Sequence, residues 1–146
     1  MIIPEKLYQE ICHVMPIPCV DLLVMDEADK ILLLLRRNEP SVGQWWLPGG
    51  RVHFGETRAG AVVRKLKEEC GLKANSTQEL GTFDVLIELQ ESQGLSHGIT
   101  TVFKIKVVNQ SATTLDGQSS AAAWRPKQEW LSHELHPFVQ QCLRLA

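Results

Sequence analysis

Between Thr57 and Cys70 the chain changes its apolar spacing, and this change limits the fold more than any other feature. Val62, Val63, Leu66 and Cys70 recur at intervals of three and four, the period of a helix with one buried stripe. Thr57 suits the N-cap, and Gly71 suits the left-handed residue just past the last turn. The flanking segments follow a different pattern. Residues 19–25 and 31–35 are apolar runs on either side of the polar turn Asp26-Glu27-Ala28-Asp29-Lys30, which predicts a hairpin of two largely buried strands. Strands are expected at about 80–89 and 99–108, joined by a polar loop over 90–98, with a last one near 121–124. Helices are expected over 5–11, 126–131 and 136–145, the first opened by Pro4 and ended by Pro16 and Pro18. Residues 36–50, with two adjacent tryptophans, two prolines and three glycines, read as a structured functional loop or short strand. The order predicts one α+β layered domain over residues 1–146.

Charge narrows the function. Fifteen bases against seventeen acids give a net charge of −2, which argues against a general nucleic-acid or anionic-membrane binder. The balance is uneven, because residues 36–73 carry eight bases and four acids. A small anion bound by locally placed bases fits that distribution. The longest apolar run, 31–35, is far short of the roughly 20 residues that span a bilayer. The N-terminus lacks the pattern of a signal peptide. Cys12, Cys19, Cys70 and Cys142 are scattered without a C-x-x-C pair and read as buried thiols in a reducing compartment, so a cytoplasmic protein is expected.

Chemistry concentrates in residues 50–72. Arg64, Lys65, Glu68 and Glu69 fall opposite Val62, Val63 and Leu66, and two readings follow. They form either a solvated face whose i,i+4 pairs contribute about 0.2–0.5 kcal/mol each, or part of a site for a hard cation. In the second reading, Glu68 and Glu69 lie near the carbonyls of Pro48-Gly49-Gly50 and make an oxygen-rich site for Mg²⁺ that would clamp a diphosphate.

The spacing Gly50, five residues, Glu56, seven residues, Arg64, then Leu66, Glu68, Glu69, Gly71 and Leu72 resembles the Nudix box, matching eight of its nine specified positions. The resemblance implies a Nudix fold: an α/β/α sandwich with a mixed β-sheet and the Nudix loop-helix-loop. It also implies hydrolysis of a nucleoside diphosphate linked to another moiety, with Mg²⁺ as cofactor and Mn²⁺ as a substitute. The one departure is Lys65, where the family usually has a glutamate that binds metal or takes the proton of the attacking water. An ammonium does neither, and its charge opposes a second metal ion.

Residues 33–52 and 16–21 are similar to the corresponding stretches of GDP-mannose mannosyl hydrolases, whose altered box also lacks that glutamate. This resemblance implies attack of water on the anomeric carbon of a nucleotide sugar, releasing nucleoside diphosphate and sugar. It implies metal ligation by Gly49, Glu69 and Gln118, beside Glu68, and a diphosphate braced by Arg36, Arg51 and Arg64. Guanidinium forks match phosphate oxygens and neutralise a departing diphosphate. The histidine that serves as base in that branch corresponds here to Ser119, so the candidates to replace it are His97 in the 90–98 loop, with Glu88 and Glu91 weaker, and His53 in the box loop, which reads equally as surface. Arg37 and Asp21 are further candidates for substrate contact, and Trp45 or Trp46 for facing the cleft. The expected catalytic set is thus Arg51, Arg64, Glu68, Glu69 and His97. Two other functions compete: pyrophosphohydrolysis of a (d)NTP or an ADP-ribose-like substrate, and a nucleotide-binding module with little turnover. A homodimer is expected by analogy with the family.

Overall fold

A computed structural model describes residues 2–89, 94–108 and 119–146. The element order is α1 (Glu5–Val14), β1 (Ile17–Met25), β2 (Lys30–Arg36), β3 (Trp45–Trp46), β4 (Gly49–Arg51), α2 (Arg58–Cys70), β5 (Ser76–Leu89), β6 (Gly94–Lys106), β7 (Ser119–Pro126), α3 (Lys127–Leu131) and α4 (Pro137–Arg144). No helix among the described residues is long and apolar enough to cross a membrane.

The apolar run in β1 marks a strand covered on both faces. Val20, Leu22 and Val24 point to one side, where Ala61, Val62, Leu66 and Cys70 of α2 meet them. Leu23 and Met25 point to the other, against Trp130 of α3 and Phe138, Val139, Cys142 and Leu143 of α4. The alternation of β1 side chains thus builds both cores of an α/β/α sandwich. The sheet is mixed: β1 runs parallel to β6 from Ile17↔Gly98 to Met25↔Lys106, while the other pairings are antiparallel.

The expected hairpin forms at its tip. Asp26 Oδ1 accepts hydrogen bonds from the Ala28 and Lys30 backbone N–H groups, both at 2.9 Å, and Asp29 takes a left-handed φ of 61°. β1 and β2 pair at Met25↔Ile31, after which β2 pairs along its length with β7 and at its end with β3. That divergence leaves room for β4 to pair with β1 at Cys19↔Arg51, Val20↔Gly50 and Asp21↔Gly49. The Pro48-Gly49-Gly50 segment is thereby set beside the start of the central strand.

Helix α2 is capped as expected. Thr57 Oγ1 accepts from Gly60 N–H at 3.0 Å, and Gly71 takes φ 67° beyond the last turn. The buried stripe differs in one residue, because Val63 is exposed and Ala61 and Glu69 are buried instead. Two other expectations change. β6 begins at Gly94, so His97 lies within a strand paired with Leu86 rather than in a loop. Cys12 and Cys19 are half-buried, whereas Cys70 and Cys142 are buried; all four are free.

Candidate active site

The site is assembled where β4, the loop after it and α2 meet. The loop closes through a turn in which Glu56 N–H donates to His53 O at 3.0 Å, with Gly55 at φ 79°, a conformation that favours glycine. Glu56 Oε1 in turn accepts from His53 N–H at 3.0 Å. The carboxylate is then clasped by Arg64, whose Nε and Nη2 donate at 2.8 and 2.9 Å. Arg64 Nη2 also reaches Arg51 O at 2.9 Å, and its Nη1 reaches Glu68 Oε2 at 3.2 Å. This bidentate, charge-assisted pair holds Glu56 well below its usual range, at about 2, and raises Arg64 further.

Glu69 ties the helix to the β4 strand. Its Oε2 accepts from Gly49 N–H at 2.9 Å, and its side chain is 5% exposed. Gly49 must be glycine, because a Cβ there would drive into the Val20 carbonyl oxygen and lie 2.8 Å from Asp21 Oδ1. The Lys65 ammonium stands 3.2 Å from Glu69 Oε1 and 3.8 Å from Glu68 Oε2. The helical face is therefore only partly solvated: Glu68 is half exposed, while Arg64, Lys65 and Glu69 are turned toward β4.

These groups border an open cleft of about 450 Å³ lined by Ile2, Ile3, Tyr8, Arg51, His53, Arg64, Lys65 and Glu68. Arg51 stacks its guanidinium over the Tyr8 ring, 5.6 Å from the centroid, which joins α1 to the site. Three permanent cations and one carboxylate on these walls suit a polyanion such as a diphosphate. His53 is held below the usual imidazole range, first by burial and then by the charges of Arg64 and Arg51, so it favours its neutral form. Ile2, Ile3 and Tyr8 were not among the expected site residues, and His53 reads equally as a candidate base and as plain surface. Tyr8 reads in sequence only as part of an amphipathic helix, and its meeting with Arg51 depends on tertiary packing.

Other expected residues stand apart from this cleft lining. Arg36 donates to the carbonyl oxygens of Asn38, Glu39 and Pro40, bracing its own loop. Arg37 is exposed at the end of β2. Asp21 is buried, accepting from Thr100 Oγ1 at 2.6 Å and from Trp46, beneath the close approach of Gly49. Burial pushes its carboxyl up to about 7 even though the Thr100 hydrogen bond acts downward, and the nearby Glu69 charge adds to the rise. Trp46 packs on His136 and Phe138, and Trp45 on Trp130, so both indoles serve the α3–α4 side. Ser119 is buried at the start of β7, opposite Arg36. Gln118 and Glu91 lie outside the described residues.

Among the described residues, no three His, Cys, Asp or Glu side chains gather around one point. The protein donors available to a hard cation are Glu68 and Glu69 together with backbone oxygen. Glu68 is half exposed on the cleft wall, while the Lys65 ammonium stands against both carboxylates, so a cation there would share them with it. Mg²⁺ commonly retains several waters and takes only one or two carboxylates, so this donor set suits it.

A family model described as the NUDIX domain matches residues 15–145. The chain is 30% identical over 143 residues to the low-salt glycan biosynthesis protein Agl8 of Haloferax volcanii, an alignment covering 97% of this chain and 88% of that protein. It is 38% identical over 85 residues to an ADP-ribose pyrophosphatase of Methanocaldococcus jannaschii, covering 58% of this chain and 48% of that protein. In fold it is similar to the NUDIX domain of Shewanella oneidensis NrtR, solved in complex with ADP ribose. That match has a TM-score of 0.75 and 22% identity, covering 98% of this chain and 96% of the other.

Proposed function

The chain belongs to the Nudix hydrolase family, which acts on nucleoside diphosphate derivatives, and within it we propose a nucleotide sugar hydrolase that releases a nucleoside diphosphate and a free sugar. The observation that carries this reading is Lys65. An ammonium held against Glu69 stands where the family's usual carboxylate would activate water for attack on phosphorus. Attack on the sugar's anomeric carbon needs less of the site: a cationic holder for the departing diphosphate and a modest base for water. The glycan-biosynthesis role named for the Haloferax relative supports a sugar-bearing substrate.

Arg51 and Lys65 hold the diphosphate from the cleft wall. Arg64 has four of its N–H groups engaged with Glu56, Arg51 and Glu68, so it acts chiefly by fixing the loop and Arg51 against α2. Glu68, Glu69, the Gly49 carbonyl and Gln118 would hold Mg²⁺, or Mn²⁺ in its place. That ion supplies Lewis-acid stabilisation of the leaving diphosphate. His53 replaces His97 as the proposed base, because it lines the cleft and favours its neutral form. As the water oxygen bonds to the anomeric carbon, an imidazole nitrogen of His53 takes its proton, and the bond from that carbon to the diphosphate oxygen breaks. The four free thiols suit a cytoplasmic location, and the working assembly is proposed to be a homodimer.

A panel of GDP-mannose, other nucleotide sugars, ADP-ribose and (d)NTPs, incubated with Mg²⁺ and resolved by phosphorus NMR, tests the reading. Nucleoside diphosphate plus sugar is expected from a nucleotide sugar, with turnover lost in Glu69→Gln. Nucleoside monophosphate plus sugar phosphate would overturn it. That product would instead favour pyrophosphohydrolysis, the second reading, which rests on the retained Glu68–Glu69 pair and the ADP-ribose pyrophosphatase relative.

A further inference from the structure

We propose that Tyr8 is a positioning residue for Arg51, so that α1, through the face of one aromatic ring, sets the guanidinium that meets the diphosphate. The inference rests on the reading of Arg51 as a holder of that group. Arg51 is the last residue of β4, opposite Cys19 of β1, and its side chain lines the cleft. Its Nη1 donates to the carbonyl oxygen of the next residue, Val52, at 3.3 Å, and its guanidinium lies over the Tyr8 ring, 5.6 Å from the centroid. A long side chain has many rotamers, and a ring against the guanidinium narrows that choice before substrate arrives. Stacking leaves the N–H donors in the guanidinium plane, directed past the ring's edge, so the same group can still grip phosphate oxygens in pairs.

The place of α1 in the fold points the same way. None of its residues is buried, and it supplies nothing to either core. It meets the body through Tyr8, Ile11 and Cys12, at spacings of three and four and all half-buried. The family model begins at residue 15, so α1 and the segment before it lie outside the matched residues. Ile2, Ile3 and Tyr8 nevertheless line the cleft beside Arg51. A helix with no share in the cores but a ring in the cleft is placed to serve the site.

The chemistry of Tyr8 suits a platform rather than an ion-pair partner. Burial first, and then the nearby Cys12 thiol, push its phenol up to about 12, so the ring stays neutral at physiological pH. Arg64 and Lys65 meet carboxylates, whereas the Tyr8 ring holds Arg51 without adding negative charge to the cleft. A carboxylate in its place would compete with the diphosphate for the same guanidinium.

Isothermal titration calorimetry with GDP and with ADP, in the presence of Mg²⁺, reads diphosphate binding without requiring turnover of a nucleotide sugar. Tyr8→Leu is expected to weaken binding by about tenfold, and Tyr8→Phe, which keeps the ring, to bind as wild type does. Arg51→Leu should weaken binding further, and adding Tyr8→Leu to it should cost nothing more, because the ring acts through the guanidinium. Equal losses from Tyr8→Leu with and without Arg51, no loss in Tyr8→Leu, or a tenfold loss in Tyr8→Phe would overturn the inference while leaving the nucleotide site intact. No binding of GDP or ADP by wild type would overturn it together with the diphosphate reading. Nucleoside monophosphate and sugar phosphate as products, with the expected pattern of binding, would overturn the proposed reaction and uphold the role of Tyr8. Circular dichroism of each variant confirms that the fold is retained.

Discussion

Arg64 shows how a residue of the family motif can serve geometry before chemistry. Its guanidinium is committed to Glu56, the Arg51 carbonyl and Glu68, and the Lys65 ammonium is likewise paired with Glu69 and Glu68, so much of the positive charge on the cleft wall is already matched within the protein. His53 is the neutral group on the same wall, and its role has a pH signature. Burial and the neighbouring arginines lower its pKa from 6.5, so the neutral base is populated above that depressed value and lost below it. The rate with a nucleotide sugar should fall on the acid side with a midpoint below 6.5, and His53→Gln should lower kcat by about 10²-fold and remove that limb. An unchanged acid limb in the variant would exclude His53. Asp21 gives a separate prediction on stability. It ionises near 7 when folded and near 3.8 when unfolded, so the folded state binds the extra proton between those values. Its contribution therefore makes stability fall as pH rises from about 4 to 7. Asp21→Asn should flatten the corresponding decline in Tm measured by differential scanning fluorimetry, with the largest gain above pH 7.

At the scale of elements, α2 is where sequence and structure agree most closely. Its ends are set by contacts within a few residues, Thr57 with Gly60 and the left-handed Gly71, and local contacts can be read from local sequence. Thr57→Ala should cost about 1 kcal/mol in urea unfolding, with m unchanged. The buried stripe was less legible. Periodicity gives the width of a helical face, but what lies against it decides which borderline residues are covered. Packing of β4 and the Pro48-Gly49-Gly50 segment against the last turns buries Glu69, while Val63 faces outward. The early start of β6 had a similar cause. Apart from Leu95, residues Gly94 to Gly98 are polar or small and carry little strand signal, yet they pair with Val85 through Leu89 of the long β5 strand. His97 accordingly sits on a strand, outside the residues that line the cleft, rather than in the expected loop.

At the scale of the molecule, a layered α+β domain was legible because β1 and β2 are apolar on both faces and α2 on one, while the α/β/α sandwich itself came from the resemblance to the Nudix box. The cleft was legible only in part. The box placed Arg51, Arg64, Glu68 and Glu69 together because they are close in sequence. Tyr8, Ile2 and Ile3 reach the same cleft from α1 and the segment before it, across more than forty residues of chain, and no spacing rule reports that meeting. The uneven charge of the chain becomes intelligible here. The base-rich stretch supplies Arg51, Arg64 and Lys65 to the cleft wall, with Glu68 beside them. The account stands or falls on which bond that arrangement breaks. Hydrolysis of GDP-mannose in ¹⁸O-labelled water with Mg²⁺, read by mass spectrometry of both products, should place the label on the released sugar and leave the nucleoside diphosphate unlabelled. Label on a phosphate product would contradict it.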